Sequence, residues 1–358
     1  MSDVMTSVTH GLARLTLNRP SALHALTTEM CAAMTEALLT WKDDPSVTVV
    51  QIDHAADTRG FCAGGDIRML AESGRADGKA AREFFFTEYR LNHLLMVYPK
   101  PIVALMDGVT MGGGVGLSLP ARFRIATERT TFAMPETGIG LFPDVGGGWH
   151  LPRLPGKIGL WLALTGARLR AADCLEAGLA THYMPTEILE AAKAQIAGAA
   201  QTHDPASTLE SGLYALAEGA GRLVELKHRA EIDRLFAGET VEAIFAALEA
   251  DGGDWAKAQL AALRTKSNLT IKVAFRQLSS GARLNSFAEN MAMEYRIGAR
   301  MVRQPDFHEG VRAVILDKDN APRWNPATPQ GVTEAMLDAI FAPLPPDEEW
   351  TPLNGVSA

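Results

Sequence analysis

Two glycine-rich turns, each arriving after an apolar, strand-like run, constrain this chain more than any other feature. One is FCAGGDI at 61–67; the other is DGVTMGGGVGLS at 107–118, directly after IVALM at 102–106. Glycine clusters let backbone approach a ligand closely and leave N–H groups unencumbered. Two such turns from different strands can converge two donors on one oxygen, which makes an oxyanion hole. The plain alternative is that these glycines serve tight turns and close helix packing, and the turns taken alone leave both readings open.

Other phosphate and nucleophile motifs fail. After Gly114 and Gly116, Leu119 stands where a dinucleotide fingerprint needs its third glycine. Gly156–Lys157 is followed by Ile158 rather than Ser or Thr, and Leu151 replaces the first glycine of a P-loop. Pro120 takes the place of the last glycine of a GxSxG elbow around Ser118. There is no HExxH, and the 9 histidines are scattered, so no catalytic metal is expected.

A third element, FAMPETGIGLFPDVGGG at 132–148, sets Glu136 and Asp144 in an apolar, glycine-rich stretch. Apolar surroundings disfavour the charged form of an acid and raise its pKa, which suits general acid/base work. Against this, Glu136 would serve as a helix cap and Asp144 as the N-cap of a helix near 146.

Around these motifs the first half alternates strand and helix. Residues 12–17 (LARLTL) alternate apolar and polar, NRP at 18–20 breaks the strand, and a helix over about 28–42 carries Met30, Met34, Leu38 and Trp41 on one face. Residues 47–52 read as a buried strand, 79–97 as a helix with Phe84, Tyr89, Leu91 and Leu95, and 122–127 as a strand. Beyond about 186 the patterns are helical: 187–201, 222–236, 240–250, 255–265 and 283–303, then a short helix or helix-plus-turn at 306–319. The expected class is α/β with a helical C-terminal region, divided as core 1–200, helical region 201–340 and a Pro-rich tail 341–358 that forms a surface strap or stays disordered.

Composition narrows the partners. With 34 Lys+Arg against 42 Asp+Glu the net charge is −8, which argues against nucleic acid or an anionic membrane as the main partner. No apolar run reaches the ~18 residues of a membrane span. Cys31, Cys62 and Cys174 lie far apart, with no disulfide framework and no zinc spacing. The start of the chain lacks the basic, apolar and cleavage segments of a signal peptide, and a cytoplasmic location is expected.

FCAGGDI, MGGGVGLS and FAMPETGIGLFPDVGGGWHLPRLPG, in that order, resemble the enoyl-CoA hydratase/isomerase (crotonase) superfamily, most closely its 3-hydroxyisobutyryl-CoA hydrolase branch. MEYRIGARMVRQPDFHEGVRAVILDKDNAPRWNP at 293–326 is similar to that branch's C-terminal signature, so the resemblance covers roughly residues 10–330. It implies a crotonase-like spiral of ββα turns and a CoA thioester substrate, with CoA as part of substrate and product and no separate cofactor. By motif position the oxyanion donors would be the N–H groups of Gly65 and Gly113. The adenine loop would be 19–26 (RPSALHAL), including His24, Ala25 and Leu26, with CoA contacts along Ala63, Gly64, Asp66 and Ile67. A lysine common in that loop is Ser21 here, and Arg19, Arg68 and Lys318 are the candidate phosphate partners, with solvated surface basics as the alternative.

The branch is implied by two departures from a hydratase. The hydratase pattern has a glutamate three residues after the central glycine of the GGG turn; counting from Gly113 that position is Gly116. The second glutamate is kept as Glu136, and eight residues on Asp144 stands where hydratases commonly have glycine. The expectation is thioester hydrolysis: 3-hydroxyisobutyryl-CoA, or a close 3-hydroxyacyl-CoA, to the free acid and CoA in valine catabolism. Glu136 would be general base or nucleophile, Asp144 would bind the 3-hydroxyl, and Glu88 would be a further substrate contact, its alternative being a solvated helix-face residue. A hydratase/isomerase, and a non-catalytic acyl-CoA- or RNA-binding scaffold, are the competing readings. Extra helical length leaves a homo-oligomer possible.

Overall fold

The computed structural model describes residues 2–55 and 58–355. Its strands are β1 (Val4–Thr9), β2 (Leu12–Leu17), β3 (Val49–His54), β4 (Gly60–Cys62), β5 (Ile102–Met106), β6 (Val109–Met111), β7 (Phe123–Ala126), β8 (Thr131–Ala133) and β9 (His182–Tyr183). They form a six-stranded sheet ordered β1-β2-β3-β5-β7-β9 and a three-stranded sheet ordered β4-β6-β8. Among these strands only the β1–β2 hairpin is antiparallel; its turn is His10–Gly11, both left-handed with φ of 49° and 89°. The other strand pairs are parallel, for example Val50 with Ile102 and Val103 with Phe123.

The chain repeats one unit: a strand in the large sheet, a strand in the small sheet, then a helix. β3 and β4 lead to the helix Ile67–Arg75, β5 and β6 to the helix Gly113–Ser118, and β7 and β8 to a 3₁₀ turn at Glu136–Ile139. The result is an α/β spiral of ββα turns. Because β4, β6 and β8 are parallel neighbours, their carboxyl ends lie side by side, the edge at which ligands bind in parallel sheets.

The helix Thr28–Lys42 starts where Thr27 Oγ1 accepts the Met30 N–H, and it buries Met30, Met34, Leu38 and Trp41 as its spacing predicts. The helix Lys79–Met96 buries Phe84, Tyr89, Leu91 and Leu95. In the C-terminal region some expected boundaries move. The 222–236 stretch is α-helical only over Arg229–Leu235, because the Asp173 carboxylate gathers the N–H groups of Val224, Glu225 and Leu226 into a turn. The 283–303 stretch begins at Phe287, where Ser286 and Glu289 form a reciprocal capping box. Three helices, Pro205–Leu216, Asn268–Gly281 and Glu334–Phe341, lie in the region expected to be helical but outside the stretches assigned there from the sequence.

One apolar cluster runs from Val4 to Trp350, so the C-terminal helices and the spiral share a core. The tail crosses the helix Lys79–Met96 as a strap: Trp350 is buried, its indole N–H donates to Phe86 O, and Arg82 and Arg296 pair with Glu348 and Glu349. Its last three positions lie outside the described residues. No described helix is long and apolar enough to cross a membrane.

Candidate active site

The three motifs meet at the ends of the three parallel strands of the small sheet. β4 runs out into Ala63–Gly65, β6 into Gly112–Gly113, and β8 into Pro135–Glu136. Together with Phe84, Phe85 and Glu88 from the helix Lys79–Met96, and with Asp144 and Val145, they line one cavity of about 70 Å³. Space for several waters, or one small acyl group, is what that volume offers.

The two glycine turns face each other: a side-chain carbon added at Gly112 would stand 3.1 Å from Gly64 Cα, and one at Gly64 4.0 Å from Gly113 N. Gly113 opens a helix, so its N–H has no partner within that helix, and among the described residues neither it nor the Gly65 N–H meets another acceptor. Gly113 is tightly packed: an added carbon would lie 2.8 Å from Glu88 Oε1 and 2.9 Å from Leu26 Cδ1, so one of those side chains would have to move. Two free amides therefore open on one cavity.

Three carboxyls line the same cavity, each nearly closed off from solvent: Glu88 at 1%, Glu136 at 5% and Asp144 at 6% exposure. Among the described residues, Glu88 Oε1 and Glu136 Oε2 are buried without a hydrogen-bond partner. Buried polar atoms are almost always paired, so two orphaned carboxylate oxygens on residues that line one cavity mark places for a substrate or water. Asp144 Oδ2 accepts the Tyr89 O–H at 2.9 Å. Burial pushes the Glu136 acid well above the usual carboxylate range, and Asp144 adds to it. Glu88 is raised by burial first, then by Asp144 and Glu294. Asp144 is pushed up to about 7 by burial against the opposing Tyr89 bond.

The helix-cap alternatives for the two acids do not hold in the structure. Gly146, not Asp144, precedes the short helix Gly147–His150, and no side chain caps it. Glu136 lies inside the first position of its 3₁₀ turn, again without a capping bond. Glu88 is buried rather than solvated.

The 19–26 loop packs directly on the first glycine turn: the Leu26 N–H donates to Gly64 O, the Asp66 N–H to Leu26 O, and the Ala63 N–H to Leu23 O. Within it, Ala25 is half-buried and Leu26 is fully buried. The His24 ring is turned inward, fully buried against the Arg19 N–H and Thr58 Oγ1, with its pKa lowered to about 4 by burial and then His54. Its side chain therefore faces no groove. Asp66 caps the helix Ile67–Arg75 through Met69 N and pairs with Arg19 at 2.9 Å, so neither side chain lines the cavity. Ala63, Gly64 and Ile67 do line it. Arg68 and Lys318 are exposed.

A family model described as enoyl-CoA hydratase/isomerase matches residues 12–341. The chain belongs to the enoyl-CoA hydratase/isomerase family. Among its relatives, the mitochondrial 3-hydroxyisobutyryl-CoA hydrolase of Danio rerio is 46% identical over 92% of this chain and 87% of that protein. The human protein of the same name is 42% identical over 92% and 86%. Among solved structures, a carnitinyl-CoA dehydratase from Mycobacterium thermoresistibile superposes with a TM-score of 0.91 at 39% identity, over 98% of this chain and 99% of that one. An enoyl-CoA hydratase from Rhodobacter sphaeroides 2.4.1 gives 0.88 at 40% identity, over 98% and 100%. The relatives' names correct one expectation: both hydrolases are called mitochondrial, against the cytoplasmic location expected from the sequence. Three free, buried cysteines and a modest negative charge fit any reducing compartment and cannot single out the cytoplasm.

The solved enoyl-CoA hydratase/isomerase relatives carry hydratase and dehydratase names while the sequence relatives carry a hydrolase name, so position 116 matters. Gly116 is fully enclosed: an added carbon would meet Asn92 Nδ2 and Val145 Cβ, each at 2.7 Å. Neither Gly116 nor anything nearby in its short helix beyond Gly113 reaches the cavity. A carboxylate there has no room.

Sequence reasoning missed Glu294. From the helix Phe287–Met301 it accepts N–H bonds from Gly146 and Gly148, each at 2.8 Å, on the loop that carries Asp144.

Proposed function

We propose that the chain hydrolyses 3-hydroxyisobutyryl-CoA, adding water across the thioester to release 3-hydroxyisobutyrate and free CoA, a reaction of valine degradation. The observation that carries this reading is the cavity's chemistry: an unpartnered buried Glu136 beside two free amides, with position 116 closed to a second acid. Relatives of 42–46% identity over 92% of the chain bear the hydrolase name.

The thioester carbonyl oxygen lies between the Gly65 and Gly113 N–H groups, which stabilise the charge that grows on it as the carbon becomes tetrahedral. Removing one such donor costs ~3–4 kcal/mol in other enzymes. Glu136 supplies the base or the nucleophile. In the first route it takes a proton from the water that attacks the carbonyl carbon. In the second its oxygen attacks, giving a mixed anhydride that water then opens. Both routes break the C–S bond and return a proton to the departing thiolate. Asp144, held by Tyr89, accepts the substrate's 3-hydroxyl.

Thiol release from 3-hydroxyisobutyryl-CoA, followed beside loss of enoyl absorbance with crotonyl-CoA, tests the reading. Steady release with no hydration of the enoyl thioester is expected. Hydration without thiol release would replace the proposal with a hydratase.

A further inference from the structure

The loop that carries Asp144 is held in an unfavourable shape. Val145, a β-branched residue, sits in the left-handed region with φ of 50°, followed by Gly146 at 94°. For a branched side chain that conformation is an outlier, and it persists only where surrounding contacts over-determine it. Val145 is also buried, lines the cavity and closes off Gly116.

Glu294 supplies the contacts. It is fully buried and does not line the cavity. Its Oε2 accepts the Gly146 N–H at 2.8 Å; its Oε1 accepts the Gly148 N–H at 2.8 Å, Asn290 Nδ2 at 2.9 Å and Gln277 Nε2 at 3.1 Å. The Gln277 amide also donates to Pro143 O at 2.7 Å, on the other side of Asp144. Asp144 and Val145 are thus bracketed by tethers that all return to one carboxylate or its immediate partner.

We propose that Glu294 is a positioning residue for the hydrolysis: a carboxylate clamp that holds Val145 and Gly146 in left-handed conformations and so sets where Asp144 points. This rests on the hydrolase reading of the site. Four N–H donors face its two oxygens, an arrangement only an acceptor-only group satisfies. Glutamine at the same place would turn an NH₂ against one of those donors. Burial raises the Glu294 acid while the bonds from Gly146, Asn290 and Gly148 oppose that rise and favour the carboxylate, so the fold carries an expensive group here that ordinary core packing does not require.

The test is a cycle of Glu294→Gln and Val145→Gly, singly and together, with kcat, KM and a melting curve for each. Glycine adopts a φ of 50° without help, so relieving position 145 should remove much of the need for the clamp. Glu294→Gln is expected to lower kcat about tenfold or more with KM within about threefold, the split of an interaction that acts on the reaction step. In the Val145→Gly background the same change should cost at least about fivefold less, a coupling that a general stabilising role does not produce. Equal losses in both backgrounds, or wild-type kcat in Glu294→Gln, overturns the inference. Should Glu294→Gln not fold, Gln277→Met removes the tether shared by Pro143 and Glu294; it should lower kcat severalfold, again less beside Val145→Gly, and unchanged kcat counts against the clamp. Absence of thiol release by the wild type would sink the hydrolase reading itself, a separate outcome.

Discussion

Replacing Asp144 with asparagine is expected to stabilise the protein at neutral and alkaline pH while removing most of its turnover. Asparagine is isosteric with aspartate, and its side-chain carbonyl still accepts the Tyr89 O–H that Asp144 takes at 2.9 Å. What the substitution removes is an acid that burial raises from an ordinary 3.8 to about 7. A raised folded pKa means that the native state holds its proton where the unfolded chain has already lost it. Stability is therefore full below about pH 4 and falls as pH rises through 7, at about 1.4 kcal/mol per pH unit, roughly 4 kcal/mol in all. Asp144→Asn lacks that slope, so its advantage over the wild type should grow by about 3 kcal/mol between pH 5 and 8. Glu88 and Glu136, whose acids Asp144 pushes up, are relieved in the same direction. Urea unfolding at pH 5, 6.5 and 8 for both proteins measures the gap. A gap that does not widen with pH, or a variant less stable than wild type at pH 8, would refute the electrostatic reasoning and return Asp144 to a structural role.

Glu136→Gln should cut kcat at least a hundredfold while thioester binding, measured by calorimetry, stays within severalfold; a variant keeping a tenth of wild-type turnover removes Glu136 from the centre of the reaction. Because Glu136 must be ionised to act and burial raises its acid, kcat/KM should climb with pH on a limb lying above the ordinary carboxylate range. A limb centred below about pH 5 contradicts this. Asp144→Ala should shrink the preference for a 3-hydroxyacyl-CoA over its deoxy analogue by roughly 10- to 150-fold, the worth of a hydrogen bond to a charged group. Equal losses on both substrates would show that Asp144 does not read the hydroxyl.

The parts of the site that follow a local rule were legible in the sequence. Gly116 collides with Val145 Cβ if given a side chain and Gly113 forces its neighbours to shift, and the strands before the turns carry plain apolar runs. Strand β1 was not legible because only Val4 of its six residues is buried, so the strand has no alternating pattern to read. The helix Asn268–Gly281 opens with LTIKVAF, whose β-branched alternation imitates a strand; Ser267 capping the Thr270 N–H and a broad buried face decide for helix. Glu294 did leave a signal. In its helix, Phe287, Met291, Gly298 and Met301 form one buried stripe at spacings of three and four, and Glu294 occupies the remaining place on it. An acid on the apolar face needs a partner, and no local pattern tells that the partner is a loop 148 residues earlier.

Three buried acids around one cavity cannot all be ionised, and their positions assign the proton. Glu88 Oε1 lies 2.8 Å from where a side chain on Gly113 would begin, beside the amides proposed to hold the oxyanion. A charged Glu88 would repel the negative charge that those amides stabilise; a neutral one adds an O–H donor instead. Burial and the charges of Asp144 and Glu294 all act to keep it neutral. Glu136 has the opposite task, because a base or nucleophile works only when ionised. Glutamine copies a protonated glutamate and not an ionised one. Glu88→Gln should therefore keep kcat within about tenfold of wild type, whereas Glu136→Gln loses at least a hundredfold. The pair is compared at one pH near 7 with the same thioester, each variant checked by its melting curve. If Glu88→Gln falls as far as Glu136→Gln while remaining folded, Glu88 works as a carboxylate and this division of the acids is wrong.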